Sequence, residues 1–333
     1  MSGRDMTAGG PPGVAQMQPV PAGDLCRGHR FSHAALLYDS GDARVGWVTA
    51  TARRAAEVAA PLHVAVPAST MRLIRHSLPR RPANSRLADM TELGRNPARI
   101  IAAGQSFTDE HPGQHVYCLW EPTWPSRSRA ELREVARHEA LCNLAFDGRP
   151  MTLVCLYDAA RLGQDVISDA ELTHPVVISS GQPRGSGSYL GRGRVPPGCD
   201  EPLSPADTAV SVTFDGDLRS VREFAADRGR AAGLDSARVS DLILAVSEIA
   251  ANALGHAGGV GIIRSWCTSD ALLCQVEDDG HITDPLAGRL RLPADAPGGH
   301  GLWLVNRVCD LVERRTSRAG TITRLHMRLA GLA

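Results

Sequence analysis

Residues 181–207, GQPRGSGSYLGRGRVPPGCDEPLSPAD, constrain the fold more than any other stretch. Gly, Pro, Ser and Arg dominate, few of these residues can enter a core, and the segment reads as a linker. The chain of 333 residues therefore folds as two blocks, which agrees with about 100–200 residues per domain. The expected organisation is a tail over 1–28, a first domain over 29–180, the linker, and a second domain over 208–333. A chain of this length can bury a sizeable core without a disulfide or metal staple.

Thirty-six acidic residues balance 36 basic ones, which argues against a basic nucleic-acid coat or a polybasic membrane anchor. Every basic residue is Arg, so chemistry that needs a lysine is excluded, the P-loop lysine and the Schiff base included. The eight Cys, at 26, 118, 142, 155, 199, 267, 274 and 309, form no CxxC, and no zinc-ligand spacing appears. Cys142, Cys155 and Cys274 sit in apolar runs, so buried free thiols there and a reducing cytoplasm are expected. No apolar run reaches the roughly 18 residues needed to span a bilayer, and the first 25 residues hold no signal-peptide core.

In the first block, strand-length apolar runs (Leu62–Pro67, Val116–Trp120, Met151–Tyr157, Val176–Ile178) alternate with helical stretches near 42–60, 97–110, 128–146 and 163–171. Asn96-Pro97 suits a helix start, and Ser128 with Glu131 has capping-box spacing. The alternation predicts a three-layer α/β domain with a mainly parallel sheet. In the second block the order is a strand at 210–214, helices near 217–232 and 236–256, strands near 259–267 and 271–277, a polar stretch, a helix near 300–310 and two final strands. That order predicts an α+β domain with helices on one face of a mixed sheet.

Three polar signals stand out in the second block. On helix 236–256, Glu248 and Asn252 are spaced i, i+4, so two oxygen ligands share a face and could hold a hydrated Mg²⁺. Asp278-Asp-Gly280 ends an apolar strand and can leave a carboxylate facing a cleft. Pro297-Gly-Gly299-His-Gly301-Leu302 leads straight into a helix, where free N–H groups meet anions. Taken singly, each has a plain alternative: a solvated stripe, an Asp-Gly turn, a flexible loop.

Taken in order, they resemble the GHKL (Bergerat-fold) ATPases, most closely the anti-sigma-factor serine/threonine kinase branch. Glu248-Ile-Ala-Ala-Asn252-Ala253-Leu-Gly-His256 resembles the N box, Asp278-Asp-Gly280 the first glycine box, Gly299-His-Gly301-Leu302 the second, and Gly320-Thr321 the final Gly-Thr element. The resemblance covers about 125 residues. It implies ATP and Mg²⁺ as ligands. Asn252 would ligate Mg²⁺, Glu248 would act as general base, Asp278 would bind the adenine amine, and Gly280 would let adenine approach. Gly299, Gly301 and Leu302 would close over the phosphates, Thr321 would support Asp278, and residues 284–298 would form a lid. The pattern departs at Ile282, where the second glycine of DxGxG is expected. The lid carries Pro285, Pro293 and Pro297, and with no lysine, Arg289 or Arg291 would serve the phosphate charge.

In the first block, His33-Ala-Ala-Leu-Leu-Tyr38, Glu121-Pro122, His138-Glu139-Ala140-Leu141-Cys142-Asn143, Tyr157-Asp158 and Thr173-His174-Pro175 resemble the DcmR-type (MEDS) sensory domain over about 150 residues. That implies a small-molecule ligand near the strand ends, with Trp120, Glu121, His138, Tyr157 and Asp158 as candidates. Packing is the plain alternative for Trp120, and a structural or surface role for His138. The combined expectation is a cytoplasmic, signal-responsive anti-sigma regulatory factor. Its partners would be a sigma factor or a STAS-type anti-anti-sigma protein, with no direct nucleic acid and no membrane. A non-catalytic ATP-binding or sequestering regulator is the alternative. Homodimerisation, common in that branch, has no signature in this sequence.

Overall fold

Period-two alternation splits the first block's strands between two cores. The computed structural model describes residues 30–77, 84–256, 259–293, 295 and 299–329. The expected tail, Pro297-Gly298 and the side chain of His256 lie outside the described residues. In the first domain, β1 (Phe31–Tyr38), β2 (Leu62–Val66), β3 (Ser85–Asp89), β4 (Val116–Trp120), β5 (Met151–Asp158), β6 (Val176–Ser179) and β7 (Gln182–Gly185) form one sheet in the order β3-β2-β4-β5-β1-β6-β7. All pairings are parallel except β6 with β7.

Along β5, Val154 and Leu156 face one core with Trp47, Val48, Ala52 and Ala55 of α1 (Gly41–Glu57) and Ile74 of α2 (Ala68–Ser77). Leu153, Cys155 and Tyr157 face the other. That second core is closed by a short α3 (Met90–Leu93), α4 (Ile100–Asp109), α5 (Arg129–Ala145) and α6 (Gln164–Thr173). The three layers match the sequence expectation. The Ser128–Glu131 capping box is complete in both directions. The helix expected from Asn96-Pro97 begins as a 3₁₀ turn over Pro97–Arg99 before α4, with the Asn96 side chain accepting the Ala98 N–H at 3.2 Å.

β1, β3, β7, α2 and the short α3 were not anticipated. β7 lies inside the stretch read as linker, which also buries Cys199 and Leu203.

In the second domain, β8 (Val210–Phe214), β9 (Gly261–Cys267), β10 (Ala271–Asp278), β11 (Leu311–Ser317) and β12 (Gly320–Arg328) form a sheet in the order β11-β12-β10-β9-β8, antiparallel in every pairing and not mixed as expected, because hairpin neighbours pair directly. One face carries α7 (Leu218–Ala231), α8 (Ser236–His256) and α9 (His300–Val308). Val221, Leu242, Val246, Ile249, Val276, Val305 and Leu325 pack between helices and sheet. Among the described residues no helix is long and apolar enough to cross a membrane.

Candidate functional site

The apolar stripe of α8 points into the core, with Val239, Leu242, Val246, Ile249 and Ala253 buried. That leaves Glu248 and Asn252, one turn apart and half-buried, along its flank. α9 packs beside them. A Cβ placed on Gly301 would meet the Glu248 carboxylate, which would have to swing aside, so the glycine lets the helix start directly against the acid.

Gly299 occupies the N-cap of α9 at φ +84° and contributes no side-chain cap. The first-turn N–H groups are thus not spent on a capping side chain, the condition for holding an anion there. Leu302, half-buried, follows in the same turn and packs against the second domain's core.

At the far end of β10, Asp278 pairs in register with Thr321. Its Oδ1 accepts the Gly280 N–H at 2.8 Å. Burial lifts the Asp278 carboxyl above its ordinary range, opposed by the Gly280 N–H and reinforced by Asp279. The Thr321 hydroxyl donates to the Gly280 carbonyl at 2.8 Å. Gly320, at φ +128°, has no room for a Cβ beside the Asp278 carbonyl. The final hairpin is therefore fastened onto the Asp278–Gly280 turn.

Thr316 completes this corner and was missed from the sequence. It lies opposite Thr321 in register, its hydroxyl 2.9 Å from that of Thr321, and it accepts the Ile282 N–H at 3.1 Å. Two threonines five residues apart, either side of the Arg318–Gly320 turn, were the available signal. Ile282 thus fits its turn through a backbone bond, without the expected glycine.

Two sets of predicted residues are brought together: Glu248 with Gly301, and Asp278 with Gly280 and Thr321. Asn252 lies one turn beyond Glu248 on the same helix. Oxygen donors along α8, an uncapped glycine N-terminus and a strand-end carboxylate fit a magnesium nucleotide.

The segment leading to α9 runs onto the first domain. Leu286 and Leu290 pack against that domain's second core. Arg289, 6% exposed, donates to Glu134 of α5 at 2.9 Å, and Arg315 of β11 donates to the other Glu134 oxygen at 3.0 Å. Burial lowers the Arg289 guanidinium from its ordinary value, partly offset by Glu134. The Arg291 N–H donates to Gln105 Oε1 at 2.8 Å, and the Asn96 side chain donates to the Asn306 carbonyl of α9 at 3.0 Å. Arg289, expected beside phosphate, is thus committed to the first domain, and the Arg291 side chain is exposed.

Among the first-domain candidates, Glu121 is buried and accepts from the Tyr38 hydroxyl at 2.8 Å and from Arg44 at 3.2 Å. Burial raises its carboxyl, opposed by Arg44 and Tyr38. Trp120 and His138 are fully buried. Tyr157 is also buried and donates to Glu139 at 3.3 Å.

Residues 32–175 match the MEthanogen/methylotroph, DcmR Sensory domain (MEDS) family. Residues 212–327 match the Histidine kinase-like ATPase domain family. The chain couples a MEDS-like sensory domain to a GHKL-type ATPase domain.

The Bergerat α+β fold of the second domain follows, and that family implies an ATP and Mg²⁺ site. No curated protein matches the chain. Among solved structures it is similar to the RsbU and RsbW domains of Rv1364c from Mycobacterium tuberculosis, at 20% identity and a TM-score of 0.29. That match covers 38% of this chain and 33% of the other, so the chain spans about a third of that structure's length. It is also similar to a second solved ATPase domain, at 10% identity, a TM-score of 0.32, and 49% and 76% coverage of the two chains.

Proposed function

We propose that the chain is a signal-responsive anti-sigma regulatory factor. Its ATPase domain binds Mg-ATP and phosphorylates a Ser or Thr of a STAS-type anti-anti-sigma partner, or holds a sigma factor. The observation that carries this reading is the convergence of Glu248 on Gly301 at the uncapped start of α9, beside a carboxylate turn fastened by Thr321.

In this reading Asp278 accepts from the adenine amine through the oxygen that Gly280 leaves free. The N–H groups at Gly299, Gly301 and Leu302 take the phosphates. Asn252 would hold Mg²⁺, which would supply charge neutralisation. Glu248 accepts the proton of the acceptor hydroxyl as its oxygen forms the new bond to Pγ and the bond from Pγ to the β-phosphate oxygen breaks, releasing ADP.

The sensory domain acts through the lid. Arg289, Leu286 and Leu290 are held by the first domain, so a signal that moves α5 changes the lid segment over the nucleotide. A second reading, ATP binding without transfer, draws on Ile282 and on the commitment of Arg289 to Glu134. Calorimetry with Mg-ATP followed by label transfer from γ-labelled ATP to a STAS-type partner separates the two. Tight binding with no transfer favours the second reading, and no binding by the folded chain removes both.

A further inference from the structure

Four side chains from four elements of the first domain converge where no nucleotide chemistry is expected. They are His33 on β1, Glu139 on α5, Cys155 on β5, and His174 just after α6, and none is more than 1% exposed. Their ligating atoms all lie within 4.8 Å of one another. His33 Nε2 is 3.1 Å from Glu139 Oε2 and 3.5 Å from Cys155 Sγ. Glu139 Oε2 is 3.2 Å from Cys155 Sγ and 3.4 Å from His174 Nε2. A tetrahedral ion with bonds of about 2.0–2.3 Å spaces its ligands about 3.3–3.8 Å apart. The four separations given lie close to that range.

The partners behind the rings fix where their lone pairs point. Asn143 Nδ2 donates to the carbonyls of Thr173 and Glu139 at 2.8 and 3.2 Å, so its Oδ1 is the atom facing His33 Nδ1 at 3.1 Å. His174 Nδ1 faces the Ala170 carbonyl at 2.8 Å. Both acceptors can only accept, so both Nδ1 atoms carry hydrogen and each ring turns its Nε2 toward Glu139 Oε2. His174 Nε2 is buried with no hydrogen-bond partner, a cost that a cation bound between the rings and the carboxylate removes. Tyr157 holds the other Glu139 oxygen, leaving Oε2 for the centre.

We propose that His33, Glu139, Cys155 and His174 form a closed four-ligand site for one zinc-class divalent ion in the sensory domain. On binding, the Cys155 thiol loses its proton to solvent and the thiolate sulfur coordinates the ion, so one proton is released per ion. Thiolate and carboxylate then neutralise the two positive charges, which lets the site stay fully buried. Two imidazoles, a carboxylate and a soft thiolate select this class over Mg²⁺ or Ca²⁺. A cavity of about 310 Å³, lined by Phe31, His33, Asn143, Tyr189 and Arg192, provides the route in.

The test uses the full chain, purified, treated with a chelator and titrated with Co²⁺ or Zn²⁺ alone. The expected result is one ion per chain, one proton released, and a sulfur-to-cobalt charge-transfer band in the near ultraviolet. Cys155→Ser abolishes that band, and His174→Gln weakens uptake by about tenfold or more. Cys142→Ser, four residues beyond His138 on α5, leaves both unchanged. Absence of uptake by the wild-type chain overturns the site. So does a band that survives Cys155→Ser or disappears with Cys142→Ser. If either site variant fails to fold by circular dichroism, X-ray absorption of the zinc-loaded wild-type decides: one sulfur and three nitrogen or oxygen neighbours support the site, and any other shell overturns it.

Discussion

The Glu134 carboxylate of α5 and the Arg289 guanidinium ahead of α9 meet at 2.9 Å across 155 residues of sequence. Arg315 takes the second Glu134 oxygen, so one buried acid of the sensory domain holds two arginines of the ATPase domain. Removing one member of a buried ion pair costs about 3–5 kcal/mol, because the remaining charge stays desolvated. Glu134→Gln is therefore expected to destabilise the full chain by that order in urea unfolding. It should also speed tryptic cleavage after Arg289 and Arg291. An unchanged midpoint and unchanged cleavage would show that the bridge holds nothing.

Asp278→Ala removes the acceptor assigned to the adenine amine. A hydrogen bond to a charged group contributes about 1.5–3 kcal/mol, or roughly 10–100-fold in affinity. Calorimetry with Mg-ATP should show that loss while circular dichroism stays native. Asn252→Asp should change the Mg²⁺ dependence of binding. ATP affinity unaltered in both variants removes the site assignment.

Gly320→Ala forces a side chain into φ +128° and into the Asp278 carbonyl. Backbone strain of this kind costs on the order of 1–3 kcal/mol. Thr321→Val deletes two hydrogen bonds, to the Gly280 carbonyl and to the Thr316 hydroxyl, and should cost about 1–3 kcal/mol. Thermal unfolding should show a lowered midpoint for both variants, and an unchanged midpoint in either counts against the fastening of the hairpin described above.

Asp169 on α6 is pushed up to about 6 by burial and by the neighbouring charge of Asp165. An unfolded Asp titrates near ~3.9. Between these values the folded chain binds the extra proton, so stability contributed by this group is full below the lower value and is lost as pH rises through the upper one. Unfolding midpoints of wild-type and Asp169→Asn, compared from roughly pH 4 to pH 7, should show the wild-type advantage shrinking as pH rises. A parallel pair of curves rules out Asp169 as the source.

Much of the second domain was legible because its elements announce themselves locally. The stripe on α8, the alternation of β8 and the glycines ahead of α9 each depend on neighbours in sequence. The first domain was harder. His33 interrupts the apolar run of β1 and hides a strand whose polar side chain belongs to a cluster. β7, Gln182–Gly185, is exposed throughout and contains Pro183, an edge-strand composition that reads like linker. Arg289 looked like a phosphate ligand because lid arginines can serve that role. Only the fold shows Glu134 beside it. The ligating atoms of His33, Glu139, Cys155 and His174 come from four elements, so no spacing rule could have found them.

α5 carries Glu134 and Glu139 on a single continuous helix, about 7.5 Å apart along its axis. One faces the nucleotide domain and the other faces the histidine and thiol cluster. Linkage makes any coupling along that rod symmetric: a factor by which cluster occupancy alters nucleotide affinity is the factor by which nucleotide alters cluster affinity. The ATPase domain would then set the threshold of its own sensor, and the supply of ATP would tune what the first domain detects.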